Sequence, residues 1–138
     1  MKLFDKRTGM EVMDDRDCLA LVGEEVIGRI AVIAGGRPEV FPVNYAVAGD
    51  SVVFRTATGT KLDAAVNGPV AFEVDRFDPA TRSGWSVVIH GRAEVVDGLS
   101  HPDLRQTLEA LPVDPWAAGK KEHLIRIVPA SITGRRVG

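Results

Sequence analysis

Between Val26 and Val96 the sequence is a succession of short runs rich in valine, isoleucine, phenylalanine and threonine, separated by glycine-bearing turns. Runs of this length and residue type are typical of antiparallel strands and not of helices. The pattern predicts a mainly β chain with about six antiparallel strands. At 138 residues the chain has the usual size of one domain. We therefore expect residues 1–138 to form a single domain.

Turn residues place the predicted strands. Pro42 has no N–H for a strand ladder, so its strand is expected at a sheet edge, a bulge or a ligand site. The turn Ala48–Asp50 predicts an antiparallel hairpin between the second and third strands. Gly91, inside the longest predicted strand, indicates a bulge or a close backbone approach. The predicted strands are Val26–Ile33, Glu39–Val47, Ser51–Thr56, Val70–Asp75, Trp85–Val96 and His123–Val128.

Short helices are predicted beside these strands, each begun by a polar cap or ended by glycine or proline. A polar loop is predicted at Phe77–Gly84, and an arginine-bearing tail covers residues 133–136. The first helix is Arg16–Val22, after a cap at Asp14 or Asp15, and the second is Lys61–Val66. The third begins at Ser100 and Asp103 and has an apolar stripe of Leu104, Leu108 and Leu111.

Charge and cysteine content exclude several classes of protein. Seventeen basic and nineteen acidic residues leave a net charge of −2, so general electrostatic binding to nucleic acid or an anionic membrane is not expected. No apolar run reaches the roughly 20 residues that span a bilayer, and the first residues lack a secretory signal. Cys18 is the single cysteine, which favours a reducing compartment. We expect a cytoplasmic protein in which Cys18 is buried.

Familiar catalytic motifs are incomplete. The histidines at residues 90, 101 and 123 lack metal-ligand spacing, so no metal site is predicted. Gly84–Val88 begins like a hydrolase nucleophile motif but lacks its last glycine. Gly59–Lys61 ends like a P-loop but lacks the first glycine and the magnesium ligand. No catalytic side chain is predicted.

One segment has the composition of an anion site. Arg55 and Lys61 are cations, Thr56 and Thr58 carry hydroxyl donors, and Gly59 permits close backbone approach. The segment lies at a predicted strand end before a short helix, so it predicts a phosphate-binding site. A threonine-rich strand end with two solvated cations is the alternative, and the motif alone favours neither.

Three segments, taken in order, carry a resemblance to a known family. They are Pro42–Tyr45, Arg55–Lys61 and Gly84–Glu94, and the closing Ile132–Arg136 is similar too. In order and spacing they resemble the pyridoxamine 5′-phosphate oxidase-like family of flavin-binding split β-barrels, in its small bacterial branch with nitroimidazole-resistance-type reductases. The resemblance implies a Greek-key split barrel with short flanking helices, and a homodimer with two flavin sites at the interface.

The resemblance also implies which residues bind FMN. Its phosphate would be held by Arg55, Thr56, Thr58 and Lys61. Its ring edge would lie along Pro42, Val43 and Asn44. From the partner chain, Trp85 and Ser86 would approach the flavin. Two of these residues have an alternative role that does not involve the flavin. Asn44 could be a turn residue that satisfies its own backbone, and Trp85 could be a packing residue. Tyr45 is expected in the core.

The implied activity is that of an FMN-dependent oxidoreductase. It would transfer hydride or electrons between a nicotinamide donor and a small planar acceptor, and the cofactor would supply the chemistry. A deazaflavin-dependent reductase is one alternative, because relatives of this fold bind that cofactor. Another is a flavin- or haem-binding module without turnover; haem is the weaker cofactor candidate because it needs an axial ligand.

Overall fold

The computed structural model describes residues 2–57, 59–65, 68–96, 102–110 and 123–138. The strands in this part of the chain are β1 (Leu3–Phe4), β2 (Glu11–Met13), β3 (Ile27–Ala34), β4 (Arg37–Asn44), β5 (Ala46–Ala48), β6 (Ser51–Thr56), β7 (Pro69–Asp78), β8 (Ser83–Val95) and β9 (His123–Val137). The helices are α1 (Asp15–Val22), α2 (Lys61–Ala65) and α3 (Pro102–Glu109).

The strands form one sheet in the order β1-β2-β9-β8-β7-β3-β4, and every pair in it is antiparallel. One edge of β9 pairs with β8, and the other is shared by β6 and β2. The turn at Gly49 joins β5 and β6 in the predicted hairpin. The predicted mainly β, antiparallel fold is confirmed.

Pro42 stands at the edge of the sheet, in β4. The N–H of Tyr45 donates to the carbonyl of Val26 at 3.2 Å. Because successive N–H groups of a strand point to opposite sides, position 42 faces away from β3. A residue without an N–H therefore costs no ladder hydrogen bond here. Of the three predicted settings, an edge, a bulge or a ligand site, the structure shows the edge.

Alternate side chains of the sheet line the main core. Ile30, Phe54 and Phe72 are fully buried, and burying each such side chain is worth about 1.5–3 kcal/mol. Tyr45 packs edge-to-face on Phe72 with ring centroids 5.1 Å apart, and its hydroxyl donates to the carbonyl of Val22. Its predicted core position is confirmed. A smaller buried cluster comprises Val53, Val96, Leu108 and Leu124.

Helix α1 packs on β9. Asp14 caps it by accepting the N–H of Asp17 at 2.9 Å, and the N–H of Gly23 ends it by donating to Leu19. Cys18 is fully buried as predicted, and this burial raises the pKa of its thiol, which keeps it protonated and unreactive at neutral pH. No helix in the described ranges is long and apolar enough to cross a bilayer.

Several predicted boundaries are wrong. The longest described strand is β9 with 15 residues, against 13 for β8. Residues 133–136 are not a tail, because they pair with β8 and β2. The loop predicted at Phe77–Gly84 is shorter, since β7 runs to Asp78 and β8 begins at Ser83. In each case, pairing with a distant segment draws polar residues into a strand.

Strand number was also underestimated. The predicted strand Glu39–Val47 divides at Tyr45, because β4 pairs with β3 whereas β5 pairs with β6. The short strands β1 and β2 were not predicted, and β2 depends on the end of β9 for its partner. Ser100 and Leu111 of the third predicted helix lie outside the described residues, as does Val66.

Gly91 marks the expected bulge. His90 lies opposite Ser131 and Gly91 opposite Pro129, so the register between β8 and β9 skips Ala130. A Cβ atom at residue 91 would lie 2.1 Å from the carbonyl oxygen of Val128. Only glycine allows the two backbones this approach.

Gly91→Ala is expected to lower the free energy of unfolding by about 1–3 kcal/mol, because the strands must separate to admit the methyl group. Urea denaturation measures this. Gly23→Ala is the matched control, since its Cβ would meet its nearest atoms at an ordinary 3.5 Å, and it should stay within about 1 kcal/mol of wild type. Equal midpoints for Gly91→Ala and wild type would contradict the prediction.

Candidate functional site

The segment predicted to bind phosphate is a capped turn before α2. The hydroxyl of Thr60 donates to the carbonyl of Ala57 at 3.0 Å and accepts the N–H of Asp63 at 3.1 Å. The Asp63 carboxylate accepts the N–H of Gly59 at 3.1 Å and the hydroxyl of Thr56 at 3.0 Å. The turn is therefore held by its own hydroxyl and amide donors.

The structure separates the residues predicted to hold the phosphate. Arg55 and Thr56 are successive residues of β6, so their side chains leave opposite faces of the strand. Thr56 is 2% exposed, and its hydroxyl is bonded to Asp63. The side chain of Lys61 is 71% exposed, with its ammonium 3.5 Å from a carboxylate oxygen of Glu39. Thr58 lies outside the described residues.

The residues predicted along the flavin ring lie at the end of β4. Val43 packs against the main core. Pro42 and Asn44 occupy the alternate positions and lie on the outer face of the sheet. The side-chain amide of Asn44 donates to the carbonyl of Val26 at 3.5 Å, which ties the end of β4 to the chain before β3.

Trp85 and Ser86 lie far from the turn at residues 57–60. Ser86 is opposite Arg135, and Arg55 is opposite Leu124. These two positions are eleven residues apart in β9, about 36 Å along the strand. Trp85 is 7% exposed and belongs to the main core. The predicted site residues thus form two groups near opposite ends of β9.

Three charged residues on the outer face were missed by the sequence analysis. Arg29 lies opposite both Pro42 and Glu73. Its guanidinium is 3.4 Å from Glu73 and 3.9 Å from Asp75. The spacing of Glu73 and Asp75 shows that they share a face of one strand, but their position beside Arg29 depends on a register between distant segments.

Burial raises the pKa of Glu73 to about 7, and the neighbouring Asp75 carboxyl adds to this while Arg29 opposes it. Glu73 therefore keeps its proton up to near neutral pH, with the Asp75 carboxyl beside it. Asp75 lies opposite Ser86, so this pair adjoins one of the two groups of predicted site residues.

Asp63 and His123 were missed as well. Nδ1 of His123 contacts the Asp63 carboxylate, and the pKa of Asp63 is lowered: its burial acts in the opposite direction, but hydrogen bonds from His123, Gly59 and Thr56 outweigh it. Asp63 stands three residues after Thr60, a spacing typical of helix caps. That spacing is a usable signal for Asp63, whereas nothing local indicates His123.

A groove adjoins Lys61 at the tip of the β3–β4 hairpin. Its volume is about 370 Å³, and it is lined by Ile33, Ala34, Gly35, Arg37, Glu39 and Lys61. Two cations and one carboxylate therefore surround a partly apolar floor.

Comparison with known proteins identifies the family. A family model described as pyridoxamine 5′-phosphate oxidase matches residues 14–136. The chain belongs to this family. The Mycobacterium tuberculosis protein Rv0080 is 32% identical over 139 residues, which cover 95% of this chain and 89% of that protein. The resemblance carried by the sequence segments is confirmed.

Solved structures agree with the family. The FAD binding protein from Mycobacterium smegmatis has a TM-score of 0.71 and 31% identity, with 94% of this chain and 99% of that chain covered. An FAD-binding protein from Mesorhizobium loti has a TM-score of 0.73 and 23% identity, covering 94% and 99%; this likeness shows the fold alone. The predicted split-barrel fold is confirmed.

Glu73 predicts a pH dependence of stability. Between its ordinary pKa of 4.5 and about 7, the folded protein keeps a proton at Glu73 that the unfolded chain has released. Stability is therefore lost as pH rises through this range. Relative to wild type, Glu73→Gln should flatten this decline in the free energy of unfolding, measured by urea titration from about pH 5 to about pH 8. Asp78→Asn should keep the wild-type slope; parallel profiles for wild type and Glu73→Gln would refute the assignment.

Proposed function

We propose that this protein is an FMN-dependent oxidoreductase. The observation that supports it best is the position of Lys61 beside the edge strand β4. Its ammonium is 3.5 Å from Glu39, three residues before Pro42 and so about 10 Å away along the strand. Glu39 and Pro42 point to opposite faces of β4. A flavin with its phosphate at Lys61 and its ring at Pro42 and Asn44 would therefore cross the unpaired edge of this strand.

The residues at this place fit such a cofactor. Gly59 has a φ of +84°, and the position of a Cβ there has no atom within 4 Å, so the backbone of the turn is open to a bound group. Lys61 provides charge for an anion. Val40 is 62% exposed on the same face as Pro42, which gives a flat ring an apolar surface.

When bound, the flavin would supply hydride or electron transfer between a nicotinamide donor and a small planar acceptor. The chain's own groups bind and orient. Lys61 would neutralise the phosphate, and Arg55, near the end of β6, would supply a second cation. The outward edge of β4 offers backbone groups to the ring. No acid–base side chain is required.

The separation of the two groups of predicted residues supports a homodimer. Trp85 and Ser86 lie about 36 Å along β9 from the position of Arg55, so a site that uses both groups draws on two chains. Ile33 and Val40 are 61% and 62% exposed on the outer face of β3 and β4, and exposed apolar surface of this kind is typical of an interface. Each flavin would lie between the copies.

A deazaflavin-dependent reductase is the second candidate. The groove beside Lys61 is also lined by Arg37. A second cation there favours a cofactor that continues past its first phosphate, as a deazaflavin with its negatively charged tail does. A binding module without turnover is the third. Mass spectrometry of the group that co-purifies with the native protein distinguishes FMN, FAD, deazaflavin and haem, and assays with NADH and NADPH over quinone and nitro acceptors detect turnover.

Lys61→Ala is expected to weaken FMN binding about 10- to 100-fold, the usual value of one charge-assisted contact. Quenching of flavin fluorescence measures the affinity. Lys6→Ala, another exposed lysine, is the control and should bind as wild type does. Unchanged affinity in Lys61→Ala removes this residue from the site, and a wild-type protein that binds no flavin overturns the proposed function.

Mixed dimers test whether two chains build one site. Lys61→Ala and Ser86→Tyr should each weaken FMN binding, because they alter opposite sides of the same site. Chains of the two variants refolded together should recover one native-affinity site per mixed dimer, since one site then has both wild-type groups. If each site lies within one chain, the mixture recovers none. Light scattering should give twice the 14.8 kDa chain mass.

A further inference from the structure

The Asp63 carboxylate contacts hydrogen-bonding groups from three segments of the chain. Its side chain is 12% exposed. The hydroxyl of Thr56 comes from the end of β6, the N–H of Gly59 from the turn, and Nδ1 of His123 from the start of β9. Thr56 and His123 are also direct partners in the β6–β9 ladder. One carboxylate therefore fastens the turn to two paired strands.

This arrangement changes the role of the donors in the turn. The hydroxyl of Thr56 and the N–H of Gly59 already bond to an anion that belongs to the chain itself. The hydroxyl of Thr60 closes the turn on Ala57. The neutral donors thus define the shape of the turn, and the cations are left to attract an external anion.

A turn fixed in this way lowers the cost of binding. Ala57, Gly59 and Thr60 would otherwise lose conformational freedom when a ligand orders them, at roughly 1–2 kcal/mol for each residue. Lys61 directly follows the turn, so its direction depends on the turn's conformation. A turn that is already ordered in the free protein does not lose this entropy when the ligand binds, so the ligand binds more tightly.

We propose that Asp63 is a positioning residue, which holds the turn so that Lys61 meets the phosphate of the cofactor. The inference rests on the proposed function. The inference predicts that FMN affinity falls when the Asp63 carboxylate is removed. Simple charge repulsion predicts the opposite, because removing a carboxylate near a bound phosphate would strengthen binding.

Titration with FMN and with riboflavin tests the proposal. Riboflavin has the same ring and ribityl chain without the phosphate, so the ratio of the two affinities isolates phosphate recognition. Asp63→Asn should lower FMN affinity about tenfold and riboflavin affinity much less, since a hydrogen bond to a charged group is worth about that factor. Asp50→Asn, in the turn between β5 and β6, should leave both affinities unchanged.

A second pair of variants keeps the fold intact. Thr56→Val preserves the shape of the buried side chain and removes only the hydroxyl, so it should lower the ratio of FMN affinity to riboflavin affinity, as Asp63→Asn does. Thr56→Ser keeps the hydroxyl donor and should have the wild-type ratio. In the cofactor-free protein, amide exchange at Gly59 should be slow in wild type and fast in Asp63→Asn.

The outcomes separate this proposal from the one on which it rests. A higher FMN affinity in Asp63→Asn, or an unchanged ratio, overturns the positioning role while leaving FMN binding by the wild type intact. Equal losses for FMN and riboflavin also overturn it, because they show a general defect. A wild-type protein that binds neither flavin overturns the proposed function and this inference together.

Discussion

The pairing of β9 is the interaction on which the rest of the structure depends. β8 covers one edge of this strand, while β6 and β2 share the other. Ile125 and Ile127 enter the main core and Leu124 enters the smaller cluster, all fully buried. Because these pairings close long loops, the ladder hydrogen bonds and the apolar burial have to outweigh the entropy of closure. The bulge at Gly91 lets β8 and β9 approach closely along this length.

The shared edge of β9 also explains why the candidate site residues fall into two groups. The turn before α2 follows β6, near the start of β9, whereas Trp85 and Ser86 pair near its end. Under the proposed function each chain would carry two half-sites, and the edge strand β4 with its exposed outer face would lie beside the first. The proposed dimer is the simplest arrangement that unites them, and it would cover apolar side chains that one chain leaves in water.

The motif Arg55–Lys61 was located correctly at a strand end before a short helix, but the roles of its donors differ from the prediction. Counting donors between residues 55 and 61 suggests many groups that face a guest. In the structure, Asp63 takes two of those donors, and alternation along β6 directs Arg55 away from Thr56. Lys61 remains the exposed cation beside β4. The turn is thus held by its own donors, and under the proposed function its charge is what it would offer to an anion.

What the sequence by itself determined is the local and periodic part of this protein: the antiparallel strands, a helix cap at Asp14 or Asp15, an edge, bulge or ligand site at Pro42, and a bulge or close backbone approach at Gly91. The order of three segments also indicated the family by resemblance. The strands, the cap, the edge and the bulge follow from backbone restrictions and side-chain periodicity, which act over a few residues. Only the tertiary structure decided that residues 133–136 form a strand, that His123 reaches Asp63, and that Arg29 meets Glu73 and Asp75. Each of these depends on a register between distant segments, and register is a property of the whole sheet.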